Sequence, residues 1–376
     1  MKIAIDTIPL LSPLTGVGYY TLKISQTLRE IGPQNQYLYY YGFYSPSLLL
    51  PGETPEPFHR LKDWVLALPA AKHAARSVKD LGIYFSSRRF DLYFEPNFVP
   101  IGIPARRILA AVPDFSFARF PEWHTAEKVR YFEKHFWKKI QEAHGIIVLS
   151  DFIKAEAVRR FGMAENRIFA IPLGVDSKVF RKYPSSELEA VRSRYRLPDD
   201  FILFVGSIEP RKNLKRLLQA HRNLVSPLRK KFKLVLAGSR GWKNEEVMDA
   251  IQDSPAEAMY LGYVPENELG RLYNLARLLI YPSLYEGFGL PPLEAMACGC
   301  PVVVSEAASL PEICGEAAAY VNPLDVNQMA EAMRRVLEDE DYRKSLMAKG
   351  LARAAGFTWE RSAREHLRAF EKVSQE

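Results

Sequence analysis

The chain has 376 residues, 48% of them hydrophobic and 25% charged, a balance that excludes a disordered polymer and exceeds what one ordinary core needs. Its formal net charge is +7, and residues 1–175 carry 22 Lys/Arg against 16 Asp/Glu, so most of the excess lies there, either facing an anionic partner or simply solvated. No apolar run reaches the roughly 18 residues of a membrane span, Asp6 breaks the N-terminus too early for a signal peptide, and Cys298, Cys300 and Cys314 lack paired zinc spacing, so a cytoplasmic protein with reduced thiols is expected.

Residues 2–5, K-I-A-I, form the first expected strand, followed by a loop and an amphipathic helix over 19–30. A second strand is expected at 37–41, an irregular proline-rich connection over 46–60, and a helix over 61–90. Strands at 91–94 and 107–112 precede a helix over 124–142. A strand at 145–149 ends at Ser150, a helix follows over 151–161, and a strand at 167–171 closes the series. Residues 176–200 are polar and hold Pro184 and Pro198, which places a domain boundary there. Beyond it, strands at 201–205, 233–237, 259–263, 277–281, 301–304 and 318–321 alternate with helices. Two such alternations read as two parallel sheets, each covered on both faces, in an α/β protein. A last amphipathic segment, 357–373, has Thr358 in place to cap it.

The run 285–300, Y-E-G-F-G-L-P-P-L-E-A-M-A-C-G-C, carries the most chemistry. Glu286 and Glu294 stand eight residues apart, across a glycine-loosened loop and a helix start. Gly287 and Gly289 permit close backbone approach to a ligand, and Pro291 and Pro292 suit a first helical turn. The N–H groups of a helix N-terminus suit a phosphate, and carboxylates suit hydroxyls. A sugar nucleotide meets both demands. Taken alone, the spacing equally describes a plain helix start with Glu294 as a dipole partner.

A second constellation is V-G-S-I-E-P-R-K-N-L-K, residues 205–215. A strand ends at Gly206, and Arg211 and Lys212 follow on the loop. Ligands gather beyond the carboxyl ends of strands in doubly wound sheets, and two cations there can offset a diphosphate. A third, T-G-V-G-Y, puts Gly16 and Gly18 on a loop between the first strand and a helix. In the run from Ala111 to His124, Asp114 follows Pro113 and either marks a turn or orients a hydroxyl. The D-E-D of 339–341 has the spacing of a metal-binding pair but reads as solvated surface, so no metal site is expected.

The run from Tyr281 to Ser305 strongly resembles the glutamate-x7-glutamate motif of retaining glycosyltransferases of family four. That resemblance implies the GT-B fold, two Rossmann-like domains facing each other across a cleft. Residues 1–176 would bind the acceptor, 177–356 would bind the nucleotide sugar, and 357–376 would cross back to the first domain. It implies hexosyl transfer with retention, no metal and no cofactor. Arg211 and Lys212 would stabilise the departing diphosphate, Glu286 would hold hydroxyls of the transferred sugar, and Glu294 those of the ribose. Gly206, Gly287, Phe288, Gly289 and Leu290 would line the donor, with Gly16 and Gly18 approaching its phosphate from the first domain. Val264 would read the base through its backbone. Ser150 and Phe152 would face the acceptor, although Ser150 is also placed to cap the next helix.

Two positions depart from the pattern. Many relatives have a histidine where this chain has Pro113, which leaves Asp114 as the candidate there and His124 as a structural residue. Some relatives have an arginine directly after the glycine, where this chain has Ser207, so Arg211 is the better source of that charge.

The E-P-R-K-N-L and Y-E-G-F-G-L-P-P-L-E-A runs look most like bacterial mannosyltransferases of surface-polysaccharide and lipopolysaccharide synthesis. GDP-mannose is therefore the first expected donor. A UDP-hexose is the alternative, and a non-hydrolysing sugar-nucleotide epimerase shares the fold. The expected partners are the nucleotide sugar and a saccharide or lipid-linked acceptor, not nucleic acid. Residues 128–140 put Val129, Phe132, Phe136 and Ile140 on one helical face, with Lys128, Lys134, Lys138 and Lys139 elsewhere. The segment is either a core-facing helix with a solvated basic side, or a surface that rests on anionic lipid at the inner face of the cell membrane.

Overall fold

The structure is a computed structural model that describes residues 1–12, 14, 16–50 and 90–375. The helix expected over 61–90 and most of the connection 46–60 lie outside the described residues, except that Phe90 begins a strand.

Among the described residues, one sheet has seven strands and the other six. The first comprises β1 (Lys2–Asp6), β2 (Gln36–Tyr40), β3 (Tyr44–Ser45), β4 (Phe90–Glu95), β5 (Ala105–Ala111), β6 (Gly145–Val148) and β7 (Ile168–Ala170), in the order β3-β2-β1-β4-β5-β6-β7. Its strands are parallel apart from the β2–β3 pair. The second comprises β8 (Phe201–Val205), β9 (Lys233–Ala237), β10 (Ala258–Gly262), β11 (Leu278–Tyr281), β12 (Val302–Ser305) and β13 (Ala318–Val321), all parallel, in the order β10-β9-β8-β11-β12-β13. Runs such as F-I-L-F-V and V-V-V-S are buried along their whole length because helices cover both faces.

Strand order reverses between β8 and β11, and between β1 and β4 in the first sheet. The crossovers leave such a junction toward opposite faces, so a crevice opens at the carboxyl ends of the two central strands. That rule places the segments after Val205 and after Tyr281 side by side, although 76 positions separate them in the numbering.

Several local expectations shift. The first helix spans Gly16–Ile31, three residues earlier than the apolar pattern implies. The polar stretch 176–200 holds a helix, Ser185–Tyr195. The two-residue β3 was too short to read from sequence. The last helix, Trp359–Gln375, follows Thr358, whose Oγ1 accepts from the Arg361 N–H at 3.1 Å. That helix lies on the first sheet's side of the molecule: the Tyr20 hydroxyl and His366 Nε2 are 2.7 Å apart, and the Phe94 and Phe370 rings have centroids 5.3 Å apart. The two chain crossings between the halves run together. The Val175 N–H donates to the Phe357 carbonyl at 3.0 Å, and a Cβ on Gly174 would fall 2.2 Å from the Trp359 nitrogen.

Candidate active site

The turn after β8 builds the cationic part of the site. Pro210–Lys212 forms a single 3-10 turn, and Asn213 stops it with φ of 62°. The Asn213 amide holds that unusual backbone by donating to the Pro282 and Pro323 carbonyls at 3.1 and 2.6 Å. Arg211 and Lys212 thereby project toward the loop after β11 rather than into solvent.

They meet Glu286 there. Arg211 Nη1 donates to Oε2 at 2.7 Å, Lys212 Nζ to Oε1 at 2.6 Å, and the Tyr281 hydroxyl to Oε1 at 3.0 Å. Arg211 Nε also donates to Glu209 at 2.6 Å. All four charged side chains are at least four-fifths buried, so each depends on its partners. Burial alone would raise the Glu286 pKa, but Arg211 and Lys212 hold it down at about 2. Burial and the neighbouring Arg211 depress Lys212, with Glu286 opposing them.

Two glycines in this loop do different things. Gly289 sits at φ 115° and starts the helix Leu290–Ala297, with proline in its first turn. Gly287 borders the cavity and also lets protein approach closely: a Cβ there would lie 1.9 Å from the Pro113 carbonyl oxygen. Ser309 Oγ is placed to bond the Glu286 and Phe288 carbonyls, at 2.9 Å each, and holds the loop from beneath.

Glu294 projects from the next helix. It accepts from the Tyr273 hydroxyl at 2.9 Å, and burial lifts its pKa to about 8, although part of the side chain stays open to the cleft. The two glutamates thus sit in opposite electrostatic settings, one held anionic by cations and the other pushed toward neutrality.

These groups line a cavity of about 480 Å³ between the halves. Gly206, Arg211, Lys212, Val264, Glu286, Gly287, Phe288, Gly289, Leu290 and Glu294 line it from one side, and Gly16 and Asp114 from the other. Gly18 does not. Gly16 and Gly18 are not on a loop but in the first turn of a helix, where residues two apart point to nearly opposite faces. Gly18 is packed against Leu14 and Pro9 instead. Ser150 and Phe152 are also absent from the lining. Ser150 Oγ donates to the Gly287 carbonyl at 2.9 Å and caps its own helix, while the Phe152 N–H donates to Glu312 at 2.9 Å. Both residues join the halves rather than face the cleft. Asp114 Oδ1 accepts from the Ser116 N–H at 2.8 Å, so it marks a turn and borders the cavity as well.

The structure adds residues that sequence reasoning passed over. Tyr281 and Glu209 hold the cations. His124, read as structural, is buried and borders the cavity, with Nε2 3.0 Å from Ser116 Oγ. Burial and the nearby Lys128 lower its pKa to about 4, so it is neutral at physiological pH. Trp242 stacks on His124, its Nε1 donates to the Trp123 carbonyl at 2.5 Å, and Lys243 reaches the Glu122 carbonyl at 2.5 Å. The hydroxyls of Tyr19 and Tyr263 meet across the cleft at 3.2 Å.

In the helix Ala126–Glu142, Phe132, Phe136 and Ile140 are buried in the core and Val129 is half-buried, so most of the apolar face packs against protein. Lys134 and Lys138 remain exposed. Cys298, Cys300 and Cys314 are buried and unbridged. Asp339 caps the helix Glu340–Ala354, and Glu340 pairs with Lys344 at 2.8 Å. No group of potential metal ligands occurs among the described residues, and no helix among them is long and apolar enough to cross a membrane.

Comparison with known proteins agrees with this architecture. Residues 187–353 match the family described as Glycosyl transferases group 1. The O-antigen chain mannosyltransferase B of Escherichia coli is 34% identical over 98% of this chain and 99% of its own length. Sucrose-phosphate synthase from Thermosynechococcus elongatus superposes over 99% of this chain and 98% of its own, with a TM-score of 0.72 and 20% identity. WaaG, a glycosyltransferase involved in lipopolysaccharide biosynthesis, covers 99% of both chains, with a TM-score of 0.68 and 17% identity. At such identities the two structures establish the fold, which is GT-B.

Proposed function

Because the chain belongs to the group 1 glycosyl transferases and is a hexosyltransferase, we propose that it moves mannose from GDP-mannose to a hydroxyl of a saccharide or lipid-linked acceptor, with retention and without a metal ion. The likeness of the whole chain to an O-antigen chain mannosyltransferase supports the sugar and the acceptor class. One observation carries the chemistry: Lys212 and Arg211 converge at the carboxyl ends of β8 and β11, on the wall of a cleft and shielded from water.

Charge develops on the diphosphate as the glycosidic bond breaks. Fixed cations in a site of low polarisability stabilise that charge far more than water would. Donor phosphate shares Lys212 and Arg211 with Glu286, whose carboxylate keeps both cations aimed while the site is empty. Glu286 is thus a permanent anion beside the transferred sugar, and it bonds the sugar's hydroxyls. Both its oxygens are already engaged by cations, so it is a poor covalent nucleophile. The acceptor oxygen instead bonds to the anomeric carbon on the face that the diphosphate leaves, and its proton passes to the departing phosphate oxygen. Glu294, remote from bond breaking, accepts from the ribose hydroxyls, and Val264 meets the base. The acceptor enters along the first-half wall, past Asp114 and Lys128. Any contact with anionic membrane is electrostatic, through exposed residues such as Lys134 and Lys138.

The test is a donor panel. GDP-mannose, UDP-glucose, UDP-galactose and UDP-N-acetylglucosamine are each incubated with the full chain and a lipid-linked oligosaccharide acceptor. Nucleotide release from GDP-mannose alone, with an α-linked product by proton NMR, is the expected result. Release of UDP reassigns the donor. Epimerised UDP-N-acetylglucosamine in the absence of acceptor removes the transferase reading altogether.

A further inference from the structure

The loop that carries Glu286 also carries Tyr285, whose side chain is packed into the opposite half of the molecule. It is 1% exposed and lies among first-half residues: its ring centroid is 5.6 Å from that of Phe120 and 6.3 Å from that of Phe152, and the Arg119 guanidinium lies 5.5 Å from it. Its hydroxyl donates to Glu156 Oε2 and accepts from the Phe115 N–H at 3.2 Å. Arg119 secures the other Glu156 oxygen at 2.8 Å, so the socket is a completed polar network inside an aromatic wall. The backbone of the same residue faces the chemistry, because the Tyr285 carbonyl accepts from Arg211 Nη1 at 3.2 Å, and that nitrogen also bonds Glu286. Two residues on, Gly287 fits against Pro113 and accepts from Ser150.

We propose that Tyr285 is a positioning residue whose insertion into the first half makes closure of the cleft and assembly of the Arg211–Glu286 pair a single event. A large aromatic ring with a bonded hydroxyl is costly to expose, so parting the halves opens the socket and releases the loop. Once released, the loop no longer fixes the carbonyl that orients Arg211. Glu156, Phe115 and Phe120 border none of the cavity, and Tyr285 ties all three to the loop that carries Glu286. This inference rests on the proposed roles of Arg211 and Glu286.

The experiment uses the full chain and three variants: Tyr285→Ala, Tyr285→Phe and Glu156→Gln. Small-angle scattering without ligand reads closure, GDP titration calorimetry reads the nucleotide site, and donor kinetics read the reaction. Tyr285→Ala is expected to enlarge the radius of gyration and to lower kcat at least ~30-fold, since small misplacements of reacting groups cost that order. GDP affinity should fall less than kcat, because Arg211 loses its orienting carbonyl while Lys212, Glu294 and Val264 keep their places in the second half. Tyr285→Phe keeps the ring and should recover most of kcat. Glu156→Gln, remote from the cavity, should shift both readouts modestly in the same direction as Tyr285→Ala. Wild-type scattering in Tyr285→Ala, or lost turnover with unchanged scattering, overturns the proposal. Failure of the transferase reading is separable: the wild type would then turn over no donor, while the scattering comparison still reports whether Tyr285 holds the halves together.

Discussion

Lys212 Nζ and Glu286 Oε1 lie 2.6 Å apart, with neither side chain more than 8% exposed. Each is the reason the other is tolerated in the interior. Removing one partner of a buried pair typically costs about 3–5 kcal/mol, because an uncompensated charge stays behind. Lys212→Ala should therefore lower the melting temperature as well as lowering turnover by at least ~100-fold, the usual effect of losing one charge-stabilising group. Adding Glu286→Gln should restore much of the stability and none of the turnover. Thermal melts and steady-state kinetics on the two single variants and the double variant read both effects. Turnover within a few-fold of wild type in Lys212→Ala would remove that residue from the site.

The two glutamates should separate kinetically. Interactions made mainly in the transition state lower kcat when lost, whereas uniform binding raises KM. Glu286→Gln should act chiefly on kcat and leave GDP affinity almost unchanged. Glu294→Gln should raise donor KM and weaken GDP. The reverse pattern would exchange their roles, and no effect from either would reduce the motif to a helix start.

Glu294 also sets a pH dependence of stability. Burial raises its pKa from the ordinary 4.5 to about 8 in the folded chain. Between those values the folded protein holds a proton that the unfolded chain releases, so this group's contribution to stability falls as pH rises through that window. Glu294→Gln lacks the effect. The melting temperature of the variant, relative to wild type, should therefore climb from pH 5 to pH 8. A difference that stays constant across that range would show that Glu294 is ionised in the fold.

Activity should survive excess EDTA. In the proposed mechanism Arg211 and Lys212, which converge on Glu286 at the cleft wall, offset the diphosphate charge in place of a divalent ion. Loss of turnover on chelation, with recovery on adding manganese or magnesium, would contradict metal-free transfer.

Binding to vesicles should depend on charge alone. Phe132, Phe136 and Ile140 are committed to the core, so the helix Ala126–Glu142 offers them to no bilayer. Sedimentation should show binding to anionic liposomes that salt abolishes, and none to neutral ones. Equal binding to both, or to neither, would reject an electrostatic membrane contact.

Much of the fold was legible because parallel strands buried on both faces leave unmistakable apolar runs, such as 201–205 and 302–304. Elements that bury little left no such trace: the polar helix Ser185–Tyr195 and the two-residue β3 went unread. Motif chemistry was legible for the same local reason. Residue type and position after a strand mark Arg211, Lys212, Glu286 and Glu294 as candidates, and the resemblance to family-four glycosyltransferases joins them in one cleft.

What the sequence could not decide was direction and partnership. Periodicity places Gly16 and Gly18 near a helix start, but only the rotation of that helix turns one toward the cavity and the other against Leu14. Ser150 and Gly287 stand 137 positions apart, and only packing of the two halves makes one a donor to the other. Glu286 reads as a ligand for sugar hydroxyls, yet in the fold it is first the counter-charge of Arg211 and Lys212. A buried cation takes the nearest anion, and which anion is nearest is a property of the closed tertiary structure and not of any local run of residues.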